Sequence, residues 1–202
     1  MANDTNAIAA LIGSRICHDL ISPIGAVSNG IELLELSGAA NTPELALVAQ
    51  SVADAKARIR FFRLAFGIAS KEQETGAEEV NSILRDLHAD ARTQIADFPD
   101  GHYPRREVRA VLLALLCAEQ AVPYGGEITM VRDDDGWVVR AVSNRMNADP
   151  DLWDMLNGSQ GTALPPPAHV QFLILPAAAW DARLDCSAVL SETAAEVRLR
   201  RG

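Results

Sequence analysis

Cysteine is scarce: the 202 residues hold three, Cys17, Cys117 and Cys186, far apart and with no CxxC pair or Cys/His ligand spacing. That argues against a disulfide framework and a structural zinc, and reduced thiols are expected. Histidine is almost as sparse. Of the four, His88, His102 and His169 have no i, i+4 histidine partner and no carboxylate at ligand spacing, so no bound metal is expected. Positive charge is in deficit, because 18 Lys and Arg against 27 Asp and Glu leave a formal charge of -9. Such a field repels nucleic acid and anionic membrane. No basic region precedes the apolar residues of 1–12, and no run approaches the roughly 20 apolar residues that span a bilayer. A cytoplasmic place is expected, with neither nucleic acid nor membrane as partner.

What the chain has is apolar content, 49% of its residues, enough for the core of one large domain or two small ones. Over 6–37, Ile16, Leu20, Ile24, Val27, Ile31 and Leu34 recur at spacings of three and four, which predicts a helix with one buried stripe. Residues 37–41 supply a turn with Gly38 as terminator, and Thr42-Pro43 caps and opens a second helix. There Val48, Val52, Ala55, Ile59, Phe62, Phe66 and Ala69 form a heptad seam. The two helices should pair antiparallel. Together they carry more apolar surface than two helices can bury, so two copies packed seam to seam would form a dimeric four-helix bundle.

The composition changes over 71–79, dividing a helical hairpin (1–72) from a second unit (77–202). In that unit the pattern predicts a helix over 80–87, a short strand near 93–96, a helix over 104–121 and paired strands over 127–132 and 137–142. Asp133-Asp134-Asp135-Gly136 reads as the hairpin turn of that pair, without an EF-hand pattern for calcium. Asp149-Pro150 opens a short helix that Asn157-Gly158 ends. A helix over 168–182, bent near Pro176, and strands over 184–190 and 195–199 complete an α/β sandwich.

The remaining histidine, His18, stands apart. At about 100° per residue it points roughly opposite the apolar stripe, with Ser14, Ser22, Gly25 and Asn29 above and below it on the same face. It should be exposed, among residues small enough for another backbone to approach. Asp19 follows it, and Pro23 removes a backbone donor and presses its ring on the Asp19 carbonyl, so a kink is expected about one turn beyond His18. Folding the hairpin about its turn places the region of Arg60 and Arg63 opposite His18, where they could screen a phosphoryl group or grip a partner. A solvated basic face is the plainer alternative.

The run His18-Asp19-Leu20-Ile21-Ser22-Pro23-Ile24 resembles the H-box of sensor histidine kinases, and it lies on the first helix of a predicted hairpin, as that family requires. The second unit resembles the kinase ATP-binding fold in the order of its elements, with the helix ending at Ala121 in the place of the N-box helix. The N-box asparagines fall on Ala114 and Cys117, poor ligands for a hard cation. No DxGxG box follows, since the corresponding stretch reads Val142-Ser143-Asn144-Arg145-Met146-Asn147, and the phosphate loop is reduced to Gly158-Ser159-Gln160-Gly161-Thr162. With Gly25-Ala26-Val27-Ser28-Asn29-Gly30, the combination resembles the ChpT-type histidine phosphotransferases of alphaproteobacteria.

That resemblance implies a phosphorelay: His18 takes a phosphoryl group from a receiver aspartate and passes it to another, with Asp19 orienting the ring. Ser14, Arg15, Ser22, Gly25, Ala26, Asn29, Arg60 and Arg63 would meet the receiver. It implies no bound cofactor, with Mg2+ supplied by the receiver. Implied partners are a second copy of the chain, the receiver domain of a hybrid histidine kinase upstream, and response regulators of the CtrA and CpdR type downstream. An ATP-dependent histidine kinase with a divergent nucleotide site, and a non-catalytic dimeric adaptor that binds receivers, are the alternatives.

Overall fold

The computed structural model describes residues 2–37, 43–70, 72–89, 91–159 and 164–202. The expected turn at Gly38 and the cap at Thr42 lie outside these, as do Gln160, Gly161 and Thr162 of the reduced phosphate loop. The chain opens with a helical hairpin, α1 (Ala2–Ser37) and α2 (Pro43–Ala65). Pro23 lies inside α1, which continues through it as one helix, and the proline itself is buried.

The inward face of α1 is Ile16, Leu20, Pro23, Val27, Gly30 and Leu34, buried or half-buried at alternating spacings of four and three. This is a heptad seam, narrower than the expected stripe. Ile24 and Ile31, expected on that stripe, are 56% and 45% exposed. The seam of α2 divides in the same way: Val48, Ala55 and Phe62 turn inward, while Val52 and Ile59 stay exposed alongside Leu45. The helix stops at Ala65, so Phe66 and Ala69, expected to extend the seam, lie past its end.

One property of α1 departs from expectation. Its Ala7–Leu34 stretch is long and apolar enough, at mean hydropathy 1.3, to cross a membrane by length and composition. A helix with one apolar face packed and another left over passes the same test, and this one carries the paired charges Arg15 and Asp19 midway.

The second unit begins with a pairing that sequence patterns did not reveal. Strand β1 (Glu74–Gly76) runs antiparallel to β3 (His102–Pro104), bracketing α3 (Ala77–His88) and β2 (Thr93–Ile95). Then come α4 (Arg105–Ala121), the hairpin β4 (Gly126–Asp133) and β5 (Gly136–Val142), and α5 (Pro150–Leu156). A 3-10 turn (Pro167–His169) precedes α6 (Val170–Asp181), which holds Pro176 within it, and β6 (Leu184–Leu190) and β7 (Ala194–Arg201) follow. The main sheet has the order β2-β4-β5-β7-β6, parallel at β2–β4 and antiparallel elsewhere.

The sheet alternates with period two. Ile128, Met130, Val139, Ala141, Ala195, Val197 and Leu199 are buried, while Thr129, Arg140, Glu196 and Arg198 face outward. α4 and α6 pack on this sheet, and α4 is buried along most of its length. The β4–β5 turn needs its glycine: Gly136 has φ +142°, and a Cβ there would come within 2.1 Å of the Leu199 carbonyl oxygen. Asp133 in that turn accepts from the Asp135 backbone and from Arg200, a structural employment for one of the three aspartates.

The two units share one core. Phe61, Phe62, Leu64 and Ala65 of α2 belong to the same buried cluster as α3 and α4. The Arg63 carbonyl, near the end of α2, accepts from Arg105 Nη2 at 2.9 Å, and the Ala69 carbonyl from Arg106 Nε at 3.3 Å. The first two residues of α4 therefore serve carbonyls at and beyond the α2 terminus. Asn81 on α3 does similar work inside the second unit, with Nδ2 donating to the Phe98 carbonyl at 3.1 Å and Oδ1 accepting from the Phe98 amide at 2.6 Å.

His88, expected to bind no metal, closes the last turn of α3: Nδ1 donates to the Leu84 carbonyl at 2.9 Å and Nε2 lies 2.7 Å from Glu119 on α4. Burial by itself would lower its pKa, but the hydrogen bond and charge of Glu119, with the Leu84 carbonyl, outweigh burial and raise it above the usual 6.5. A folded state that holds this proton more tightly has the pair's full contribution below the ordinary histidine value, and loses it as pH climbs through the raised value. The parent's advantage in unfolding free energy over His88→Gln should be largest at about pH 6 and shrink by about pH 8. Denaturant titration at both pH values measures it, and an advantage that grows with pH contradicts the pairing.

Candidate functional site

The site begins with a side chain left in water. His18 is 82% exposed on α1, while Asp19 beside it is only 14% exposed. The helix supplies this contrast through its 100° step: His18 points away from the seam containing Ile16 and Leu20, and Asp19 is turned towards it. One Asp19 oxygen, Oδ1, lies 3.1 Å from Nδ1 of His18, and the other accepts from Arg15 Nε at 2.7 Å across one helical turn. Arg15 also donates through Nη1 to the carbonyl of Ala168, in the 3-10 turn of the second unit. With Nδ1 donating to Asp19, the lone pair of the neutral ring is on Nε2, facing solvent.

The other expected contact residues fall into two groups. Ser14, Ser22, Gly25 and Asn29 are exposed and Ala26 is half-buried, all on α1. A Cβ added at Gly25 would meet nothing within 4 Å, so the helix presents bare backbone there. Arg60 and Arg63, expected to be available to a phosphoryl group or a partner, face acidic and polar residues of the second unit. Arg60 donates to Asp86 at 2.9 Å and to Ser82 at 3.3 Å, and Arg63 sits 3.7 Å from Glu79, all on α3. Folding the hairpin in isolation could not foresee these partners, because the second unit supplies them.

The thiols differ sharply. Cys17, next to His18, is exposed; Cys117 is fully buried, and burial pushes its thiol well up. Burial likewise pushes Cys186 up to about 12. A thiolate is the reactive form, so neither the buried Cys117 nor the half-buried Cys186 is a nucleophile near neutral pH. Ala114 and Cys117, where the resemblance puts the N-box asparagines, are wholly inside the core. Among the described residues no group of three or more His, Cys, Asp or Glu could hold a metal ion.

Ahead of the 3-10 turn and α6, a cavity of about 310 Å3 is lined by Gln120, Asn147, Asp149, Trp153, His169 and Phe172. His169 is held below the ordinary histidine range, first by burial and then by the nearby Arg15 cation. Sequence reasoning missed this approach of the 3-10 turn to the H-box. Ala168 and Arg15 are 153 residues apart, and no local pattern encodes their contact.

Comparison with known proteins converges on this architecture. Residues 77–194 match the family model described as the histidine phosphotransferase C-terminal domain. The chain is 32% identical over 169 residues to the protein phosphotransferase ChpT of Brucella abortus (strain 2308), covering 80% of this chain and 79% of that one. A solved bacterial phosphotransferase superposes with a TM-score of 0.75 at 26% identity, across 95% of this chain and 96% of its own. With an exposed histidine on a helical hairpin and the second unit matching along most of its length, the chain belongs to the ChpT-type histidine phosphotransferases.

Proposed function

We propose that this protein is a phosphorelay carrier in which His18 accepts a phosphoryl group from the aspartyl phosphate of one receiver domain and gives it to the aspartate of another. The observation that carries this reading is the pairing of an 82% exposed imidazole with a half-buried carboxylate on its Nδ1 side. Nε2 attacks phosphorus, and the bond between phosphorus and the receiver's carboxylate oxygen breaks. That carboxylate leaves with its electron pair, and the phosphorylated ring carries a positive charge. Asp19 holds the ring in the reactive tautomer and offsets the charge that develops on it. The return step runs the same path backwards to a second receiver.

Phosphoryl transfer depends mainly on alignment and charge stabilisation. Mg2+ fits the reading as part of the receiver, and no cofactor is assigned to this chain. The burial of Ala114 and Cys117 in the core argues against an ATP-dependent kinase, since neither presents a ligand to a nucleotide or its metal.

Ser14, Ser22, Gly25, Ala26 and Asn29 would form the receiver's footprint, with Arg60 and Arg63 towards α3 at its border. The partners proposed are the receiver of a hybrid histidine kinase upstream and response regulators of the CtrA and CpdR type downstream, in the cytoplasm. A second copy of the chain would cover the outward apolar residues Ile24 and Ile31 of α1 and Leu45, Val52 and Ile59 of α2. Their place beside the inner seam suits a dimeric four-helix bundle.

Incubation with a phosphorylated receiver should give an acid-labile phosphohistidine in the parent and none in His18→Ala. Equal labelling of the two proteins defeats the relay reading, and autophosphorylation from ATP would favour the kinase. Gly25→Leu should leave the helix at least as stable, as leucine is a better helix former than glycine, by somewhat less than about 1 kcal/mol. It should nevertheless slow exchange with the receiver by about tenfold or more through a steric block, and unchanged exchange removes Gly25 from the footprint. The double variant Ile24→Glu, Ile31→Glu should sediment as a monomer where the parent sediments as a dimer.

A further inference from the structure

The proposed phosphorylation site has a support that begins outside the helix carrying it. Asp19 uses Oδ1 on Nδ1 of His18 and Oδ2 on Nε of Arg15, and the same guanidinium donates through Nη1 to the carbonyl of Ala168 in the second unit. We propose that Arg15 is a positioning residue: its guanidinium, footed on the Ala168 carbonyl, holds the Asp19 carboxylate against Nδ1 of His18 and so keeps the Nε2 lone pair turned towards the incoming phosphoryl group. This rests on the relay reading of His18 and assigns Arg15 a role other than receiver contact.

Exposure separates the two roles. The His18 ring is 82% exposed, whereas Arg15 and Asp19 are 12% and 14% exposed. A receiver that reaches the imidazole finds little of the guanidinium.

Geometry explains why arginine suits the place. An i, i+4 ion pair on a bare helix surface is worth only about 0.2–0.5 kcal/mol and leaves both side chains free to move. The third contact, from a residue 153 positions away, supplies a fixed end that the helix cannot. The guanidinium fork serves two acceptors at once in a plane, and an ammonium has no such fork. The hydrogen bond to Ala168 places the Arg15 charge against the same short turn that carries His169.

Removing the cation has a chemical consequence at His18. A half-buried carboxylate without its counter-charge is drawn towards water, and the ring loses the acceptor on Nδ1. Free histidine imidazole prefers the proton on Nε2, the form in which the attacking lone pair is absent. The second unit thus takes part in setting the tautomer of a histidine it does not carry.

The test uses the full chain with 15N-labelled histidine, with the His18 ring assigned by its loss in His18→Gln. Ring 15N shifts of the unphosphorylated protein report the tautomer without any receiver present. The parent should show the Nδ1-protonated form, and Arg15→Met should move towards the Nε2-protonated form. Arg15→Lys, which keeps the charge facing Asp19, should lie between them and guards against a Met variant that folds poorly.

Phosphohistidine formation from a phosphorylated receiver should fall about tenfold in Arg15→Met, with receiver affinity unchanged. A His18 tautomer unmoved by Arg15→Met, or a rate loss matched by an equal loss of receiver affinity, overturns the proposal. Failure of the relay reading is separate and visible in the parent, as absence of phosphohistidine whatever the tautomer.

Discussion

A carboxylate that is mostly out of water must have its charge answered, and Asp19 is where this chain meets that demand. The helical step puts Asp19 on the edge of the α1 seam and His18 outside it, so one residue is anchored and its neighbour presented. The cation that answers Asp19 is one turn back, at Arg15, and it reaches at the same time to the second unit through Ala168. The exposed imidazole is therefore set against a base that both units build.

The architecture around it keeps that base in place. α2 is fastened to the second unit by burial of Phe61, Phe62, Leu64 and Ala65 in the common core and by Arg105 on the Arg63 carbonyl. Arg60 and Arg63 add contacts to α3, although exposed ion pairs of this kind are worth only about 0–1 kcal/mol and serve orientation more than stability. α4, buried along most of its length, lies between the hairpin's end and the sheet. The helix that resembles a nucleotide-holding element is thus packed as a structural spine. Its alanine and cysteine at positions 114 and 117 fill the core.

Much of this was legible in residue order. The two hairpin helices, the β4–β5 hairpin, the capped α5 and the last two strands follow from periodicity, Asp149-Pro150 and Gly136, each a local rule with a local cause. The β1–β3 pairing escaped notice because each strand is three residues long, too short for alternation to show. The heptad pattern continues through Phe66, but the helix closes at Ala65, and the chain then turns so tightly that a Cβ added at Gly67 would come within 2.2 Å of the Arg63 carbonyl oxygen.

The division at the site has a physical basis. By itself the sequence determined that His18 would be exposed, that Asp19 would stand beside it and that small residues would share its face, because helical geometry depends only on spacing. Which cations would be spent elsewhere, and which would stand behind the carboxylate, only the tertiary structure decided. Arg60 and Arg63 went to acidic residues of α3, and Arg15 found a carbonyl 153 residues away. A long side chain takes whatever partner packing brings within reach, and packing is a property of the whole chain.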